Sequence, residues 1–232
     1  MSDDLTVGEI LNGSRIILLD FDGPVCGVFS GISDMTVAAH CREVIHRHSF
    51  SLPPSIEVQR DPLEVLRYAA TLGDQTLREV EDCLRAAEMK AVAIADATPY
   101  AFDFIRKAGA VGKPIAIVSN NSAEAIASYL ERHQLREGVG PIVGRPHSRP
   151  DLMKPDPWAV GEALRQLSAE AGSAVLVGDS TTDIEVAVIA GVRSIGFANK
   201  AGKAEALQRA GATTVVEGRE GMAELVHALH GA

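Results

Sequence analysis

Ile16-Ile17-Leu18-Leu19-Asp20-Phe21-Asp22-Gly23 is the stretch on which the reading of this chain turns. Four consecutive apolar residues behind the charged Arg15 predict a strand buried on both faces, the pattern of a parallel sheet covered by helices. That strand delivers two carboxylates, Asp20 and Asp22, at the point where it ends. In an open α/β sheet the carboxyl end of a strand is where ligands bind. An i, i+2 pair on an extended chain points the same way, and Gly23 lets the backbone turn sharply straight after it. Like charges that close are costly unless a cation or a shared proton relieves them. Asp-x-Asp-Gly is also ordinary turn chemistry at a strand end, so this stretch alone leaves both readings open.

The 232 residues suit one large domain, or a core domain with a smaller insertion, and 46% hydrophobic with 23% charged residues is ordinary globular composition. Aromatics make up only 4%, so Ala, Val, Leu and Ile must build most of the core. A formal net charge of −9 argues against nucleic acid or an anionic membrane as partner. A phosphorylated small molecule is not excluded, because a local site can be positive on an acidic protein. The three cysteines, Cys26, Cys41 and Cys83, show no Cys-x-x-Cys pairing and leave one odd, which predicts free thiols in a reducing cytoplasm. Met1-Ser2-Asp3-Asp4 is acidic with no long apolar run behind it, so neither a signal peptide nor a span of ~20 apolar residues is expected.

Taken in order, residues 1–14 read as a polar lead-in, 15–20 as the first strand and 24–33 as a loop leaving the sheet. From Asp34 the pattern turns helical. Val37, Cys41, Val44 and His48 mark one helix; Pro62 opens a second with Leu63, Leu66 and Ala70, stopped by Gly73. Asp74 is the expected N-cap of a third, whose apolar seam runs from Leu77 through Val80, Leu84, Ala87 and Ala91 to Ile94. Residues 32–96 are therefore expected to be a small helical bundle inserted into a core of residues 1–31 and 97–232. That core continues with a helix over about 99–108 ending at Gly109, a strand at Pro114–Val118, a helix through Ala125 and Leu130, and a short strand at Ile142-Val143. Next come a loop from Gly144 to Pro157, a helix from Pro157, the strand Ala174–Val177, and a helix stopped by Gly191. Strands near 193–197 and 213–216 and a last helix with Met222, Leu225, Val226 and Leu229 finish it. Strand and helix alternating at these spacings predict a Rossmann-like α/β fold, a parallel sheet with helices on both faces and right-handed crossovers.

Three of the buried strands end in polar residues suited to one task. The first offers Asp20 and Asp22; the second Ser119 and Asn120, ahead of a helix N-terminus whose N–H groups favour an anion. The third offers Asp179 and, one helical turn on, Asp183. Lys154 sits in the loop preceding that third strand. Strand ends of a parallel sheet lie on one edge, so these groups are expected to converge. Carboxylate oxygens with room for water suit Mg²⁺, which would also screen Asp20 from an incoming phosphate dianion.

The order Asp-x-Asp-Gly, strand-Ser-Asn, Lys-Pro-x-Pro and Gly-Asp-x-x-x-Asp-x-x-x-Ala-x-x-Ala-Gly resembles the haloacid-dehalogenase-like hydrolase superfamily, in its phosphoglycolate-phosphatase and β-phosphoglucomutase-like members. The inserted bundle resembles that family's helical cap. The resemblance implies a Mg²⁺-dependent phosphatase of a small phosphorylated metabolite, monomeric or homodimeric. Asp20 would be the nucleophile that forms an aspartyl-phosphate, and Asp22 the general acid and then base. Ser119, Asn120 and Lys154 would bind the phosphoryl group. Asp20, the backbone carbonyl of Asp22, Asp179 and Asp183 would hold the metal. Dehalogenase members lack the second aspartate, so Asp22 points to phosphate chemistry. Pro24, after the Asp-x-Asp-Gly, departs from the usual Thr or Val and stiffens the exit toward the cap.

Two rivals stand beside this reading: a phosphomutase on the same scaffold, and a non-catalytic binding protein that keeps the fold. Several residues also have plainer readings. Asp179 and Asp183 suit a helix N-terminus. His40, His46 and His48 fall on different faces and read as solvated surface. Trp158 and Cys26 read as packing residues.

Overall fold

The structure, a computed structural model, describes residues 5–218 and 220–229; Met1-Ser2-Asp3-Asp4 lie outside the described residues. In chain order the elements begin with α1 (Val7–Asn12), β1 (Ile16–Leu19) and β2 (Cys26–Gly27). Four helices follow: α2 (Asp34–Arg47), α3 (Pro54–Glu57), α4 (Pro62–Ala69) and α5 (Asp74–Val92). Then come β3 (Asp96–Ala97), α6 (Ala101–Ala110), β4 (Ile115–Val118), α7 (Ala123–Arg132) and β5 (Ile142–Val143). The chain continues with α8 (Trp158–Gln166), β6 (Ala174–Gly178), α9 (Thr181–Ala190) and β7 (Arg193–Ala198). It closes with α10 (Lys203–Arg209), β8 (Thr214–Glu217) and α11 (Gly221–Ala228).

Six strands form one sheet in the order β5-β4-β1-β6-β7-β8, and every pairing in it is parallel. β1 lies at the centre, with β4 on one side and β6 on the other, so the three strands bearing the polar ends are adjacent. The period-2 geometry of a strand divides the apolar residues between two cores. Ile17 and Leu19 face a core shared with Phe104, Tyr129 and Leu225, whereas Ile16 and Leu18 face one with Val160, Ala163 and Val186. This is the α/β arrangement with helices on both faces that the buried runs predict.

The inserted helices pack around an apolar cluster of their own, with Val37, Cys41 and Ile45 of α2, Val65 and Leu66 of α4, and Leu84 of α5. Their base is shared with the core: Ala91 and Val92 join the main core cluster, and Met153 from the loop before α8 joins the helical one. The two chain crossings to this insertion pair as an antiparallel ribbon, Cys26 with Ala97 and Gly27 with Asp96. The expected loop 24–33 therefore contains a strand, too short to show a period.

Other expectations need correction. The lead-in contains α1, closed by a capping box in which Thr6 accepts from the Glu9 N–H and the Glu9 carboxylate accepts from that of Thr6. α3 and α10 have no apolar period long enough to predict them. Gly109 lies inside α6; the chain turns instead at Gly112, whose φ is +73°. Gly73 is the N-cap residue of α5 and Asp74 its first helical residue. The α5 seam ends at Val92, leaving Ile94 58% exposed beyond it. On α4 the buried residues are Pro62, Val65, Leu66 and Ala69, so Leu63 sits at the edge of the apolar face and Ala70 outside it. Among the described residues no helix is long and apolar enough to cross a membrane.

This placement has a measurable consequence. Leu66→Ala should lower the unfolding free energy by about 2–5 kcal/mol, the range for emptying a closed core site. Leu63→Ala should cost clearly less in the same urea titration. Equal costs would contradict the burial of one face of α4.

Candidate active site

The sheet order brings the polar strand ends together. Lys154 is 2% exposed; its Nζ donates to Asp20 Oδ1 at 2.8 Å, to Asp183 Oδ1 at 2.5 Å and to the Val118 carbonyl at 3.0 Å. All three protons of the ammonium are thereby used. One carboxylate oxygen each from Asp20, Asp179 and Asp183 lie within 4.8 Å of one another. Although it comes from a loop, Lys154 is enclosed rather than solvated.

Local structure explains how so many acids approach. Asp20 follows β1 directly and its N–H donates to the Val177 carbonyl of β6 at 2.9 Å. Gly23 has φ +106°, and a Cβ there would sit 2.3 Å from Asp179 Cγ. Only glycine allows both that backbone and that approach. Asp183 is the N3 residue of a capping box at the start of α9, where the N-cap is Ser180. Its Oδ2 accepts from Ser180 Oγ at 2.6 Å while Oδ1 accepts from Lys154, so the cap and the site share one carboxylate. Asp179 is held through Oδ2 by Lys203 Nζ at 2.5 Å and Asn199 Nδ2 at 2.9 Å. Neither partner is marked by anything in the sequence; α10, which carries Lys203, is itself too short to be predicted.

Asp22 lies outside the triad of carboxylates. Its Oδ1 accepts from the Val28 N–H at 2.9 Å. Burial first, then the nearby charge of Asp179, pushes its carboxyl up to about 6, against the pull of that N–H. Asp20 is raised too, by burial and then by the charge of Asp183, with Lys154 opposing. Burial draws the Lys154 ammonium down, but Asp183 and Asp20 outweigh it and leave the group above its ordinary value.

Ser119 is 2% exposed and follows β4, its Oγ donating to Asn121 Oδ1 at 3.2 Å. The side chain of Asn120 is engaged elsewhere: Oδ1 accepts from the Lys154 N–H at 2.8 Å and Nδ2 donates to the Lys154 carbonyl at 3.3 Å. The amide holds the lysine's backbone. The N-terminus of α7, expected to attract a ligand anion, already receives one, because the Ser122 N–H donates to Glu88 Oε2 at 3.1 Å. Glu88 comes from α5, one heptad after Glu81; both lie on the face of the seam and are 0% exposed. Two glutamates flanking Leu84 on an apolar face were the available signal. A second contact from the insertion, Arg67 of α4, donates to the Pro150 and Lys154 carbonyls at 3.2 and 3.0 Å.

A cavity of about 380 Å³ lies between insertion and sheet, lined by Asp20, Asp22, Ser119 and Lys154 on one side and by Leu63 and Arg67 on the other. A larger open groove of about 1020 Å³ lies at the opposite strand ends, around Arg15 and Ser173, and holds none of the acidic groups. Of the three histidines, His40 is exposed on α2, His46 pairs with Glu57, and His48, just past the end of α2, pairs with Glu79. Trp158 packs against the core, and Cys26 is fully buried with its thiol raised well above the usual value, chiefly by burial. Cys26, Cys41 and Cys83 are all free.

The sequence model of the haloacid dehalogenase-like hydrolases matches residues 64–197, more than half of the chain. The chain belongs to the haloacid dehalogenase-like hydrolase family. The match begins downstream of β1, so Asp20 and Asp22 stand outside it. A predicted phosphatase from Clostridium acetobutylicum has the same fold, with TM-score 0.71, 17% identity, and coverage of 93% of this chain and 99% of that one. So does a HAD family hydrolase from Deinococcus radiodurans R1 with bound phosphate and sodium, at TM-score 0.61 and 24% identity over 95% and 99%. CbbY from Rhodobacter sphaeroides in complex with phosphate matches at TM-score 0.63 and 18% identity over 88% and 93%. No curated protein matches in sequence.

The raised carboxyl of this hydrolase sets a sign for its pH dependence. Asp22 moves from 3.8 to about 6 in the fold, so between those values the folded protein binds more protons than the unfolded chain. Its contribution therefore lowers stability as pH rises through that window, then levels off. In EDTA, Asp22→Asn should flatten the decline of the urea midpoint between pH 4.5 and 7. An unaltered slope would contradict the burial of a raised acid at this position.

Proposed function

We propose that this hydrolase is a Mg²⁺-dependent phosphatase of a small phosphorylated metabolite, working through an aspartyl-phosphate on Asp20. The observation that carries the reading is the buried Lys154 ammonium between Asp20 and Asp183, with an Asp179 oxygen within 4.8 Å of both carboxylates. Among the described residues Asp20 and Asp183 pair with Lys154 and Asp179 with Lys203, so three aspartates share two lysines in a mostly buried place, with Asp22 beside them. Hard oxygen donors with unrelieved charge fit Mg²⁺. Asp20, Asp179 and Asp183, with the backbone carbonyl of Asp22, would hold the ion. When bound, it would neutralise charge on the carboxylates and on the phosphoryl group.

Asp20 attacks phosphorus and the bond to the leaving oxygen breaks, that oxygen taking a proton from Asp22. Asp22, now ionised, accepts a proton from water as the water attacks the aspartyl-phosphate, which frees phosphate and restores Asp20. A carboxyl near 6 is suited to both steps. Ser119 grips a phosphoryl oxygen, and Lys154 does so by exchanging one of its present acceptors. Asn120 acts one step back, through its two bonds to the Lys154 backbone. Residues 32–96 form a cap domain over the core of 1–31 and 97–232, closing the cavity from water and choosing the leaving group through residues such as Leu63 and Arg67. The phosphate held by similar folds from Deinococcus and Rhodobacter agrees with this reading. Free thiols agree with a cytoplasmic setting.

With p-nitrophenyl phosphate, turnover should require Mg²⁺, cease in EDTA and release inorganic phosphate. Asp20→Asn should reduce kcat at least ~10³-fold, as loss of a covalent nucleophile does. Normal turnover by Asp20→Asn would rule the mechanism out. Isomerised sugar phosphate without phosphate release would transfer the assignment to a phosphomutase.

A further inference from the structure

Between the inserted helices and the core lies a second set of buried charges that the proposed chemistry does not use. Arg145, just after β5, is 2% exposed; its Nη1 and Nη2 donate to Glu88 Oε1 and Oε2 at 2.8 and 3.2 Å. Its Nε donates to Glu81 at 3.0 Å. Arg85 completes the balance, donating to Glu81 at 2.8 Å and to the Arg145 carbonyl at 3.0 Å. Arg85 also reaches the exposed Glu124, donating to its Oε2 at 2.6 Å, so the balance of two arginines against two glutamates holds for the buried part, with Glu124 at its rim.

Arg145 also holds the turn that follows Ser119. Its Nη1 donates to the Asn120 carbonyl at 2.6 Å and its N–H to that of Asn121 at 2.8 Å. Gly144 makes that approach possible, since a Cβ there would lie 2.5 Å from the Ala123 nitrogen. Glu88 reaches the same turn from the insertion: Asn121 Nδ2 donates to Oε1 at 3.3 Å and the Ser122 N–H to Oε2. Asn121 then accepts from Ser119 Oγ at 3.2 Å. A continuous run of hydrogen bonds leads from Arg145 through Glu88 and Asn121 to the hydroxyl that lines the cavity.

We propose that Glu88 is a positioning residue for Ser119: seating α5 on the core through Arg145 sets the hydroxyl that grips the phosphoryl group. The α5 end of the insertion is then a fixed part of the phosphate site. The role in phosphate binding rests on the phosphatase reading above.

Two variants test this. Glu88→Gln removes the charge opposite Arg145. Asn121→Ala cuts the run in the middle and leaves the buried ions paired, so it remains informative if the first fails to fold. Each should raise KM for p-nitrophenyl phosphate and the inhibition constant of inorganic phosphate about tenfold with little change in kcat, the pattern of lost uniform binding. The double variant should be no worse than either alone, because both break one chain of contacts. A folded Asn121→Ala protein with wild-type KM and phosphate inhibition would overturn the proposal and leave Glu88 a purely structural ion. If the wild type neither hydrolyses nor binds phosphate, the phosphatase reading fails by itself. The positioning is then judged by hydrogen exchange at residues 119–121: faster in both variants supports it, unchanged refutes it.

Discussion

A lysine ammonium enclosed between two carboxylates, Lys154 between Asp20 and Asp183, is the interaction on which the rest of this structure depends. Taking such charges out of water is expensive, and their attraction offsets the expense only when geometry and hydrogen bonds are complete. Here the ammonium has an acceptor for each proton, Val118 supplying the third. Without it, two buried carboxylates would face each other with Asp179 beside them. The sheet makes the arrangement possible: β4, β1 and β6 are neighbours and parallel, so their polar ends meet on one edge.

The same groups serve the fold and the proposed site at once. Asp183 caps α9 with one oxygen and holds Lys154 with the other. Asn120 fixes the lysine's backbone, and the turn from Ser119 to Ser122 is gripped by Arg145 and Glu88. The helical insertion touches the site twice, through Arg67 on the Lys154 loop and through Glu88 on the Ser119 turn. Its position and the geometry of the site are thus physically linked. An apolar contact between insertion and core would slide more freely than these directional hydrogen bonds.

How much of this was legible in the sequence follows from the range over which each signal acts. The acids at the ends of β1 and β6 stand out because a buried strand followed at once by carboxylates is a local pattern; of these, Asp20 and Asp183 are found on Lys154, with Asp179 beside them and Asp22 outside the group. α1 was legible in principle through Thr6 and Glu9, whose capping spacing is explicit, yet the segment reads as polar at first sight. Glu81 and Glu88 were harder, since charged residues in an apolar seam look like interruptions until a buried arginine is known to face them. Asn120 was visible as a polar residue after a strand, but not the direction its amide takes. Lys203 and Asn199 had no signal at all.

By itself the sequence determined the buried strands, their alternation with helices, the parallel α/β class and the polar residues each strand end carries. Those properties are written in short-range periodicity, which records how one segment meets apolar surroundings. Only the tertiary structure decided which polar groups are spent on one another and which line the cavity. Lys154 and Asp20 are 134 residues apart and Arg145 and Glu88 are 57 apart. A hydrogen bond depends on tenths of an ångström, and no pattern along the chain carries that distance.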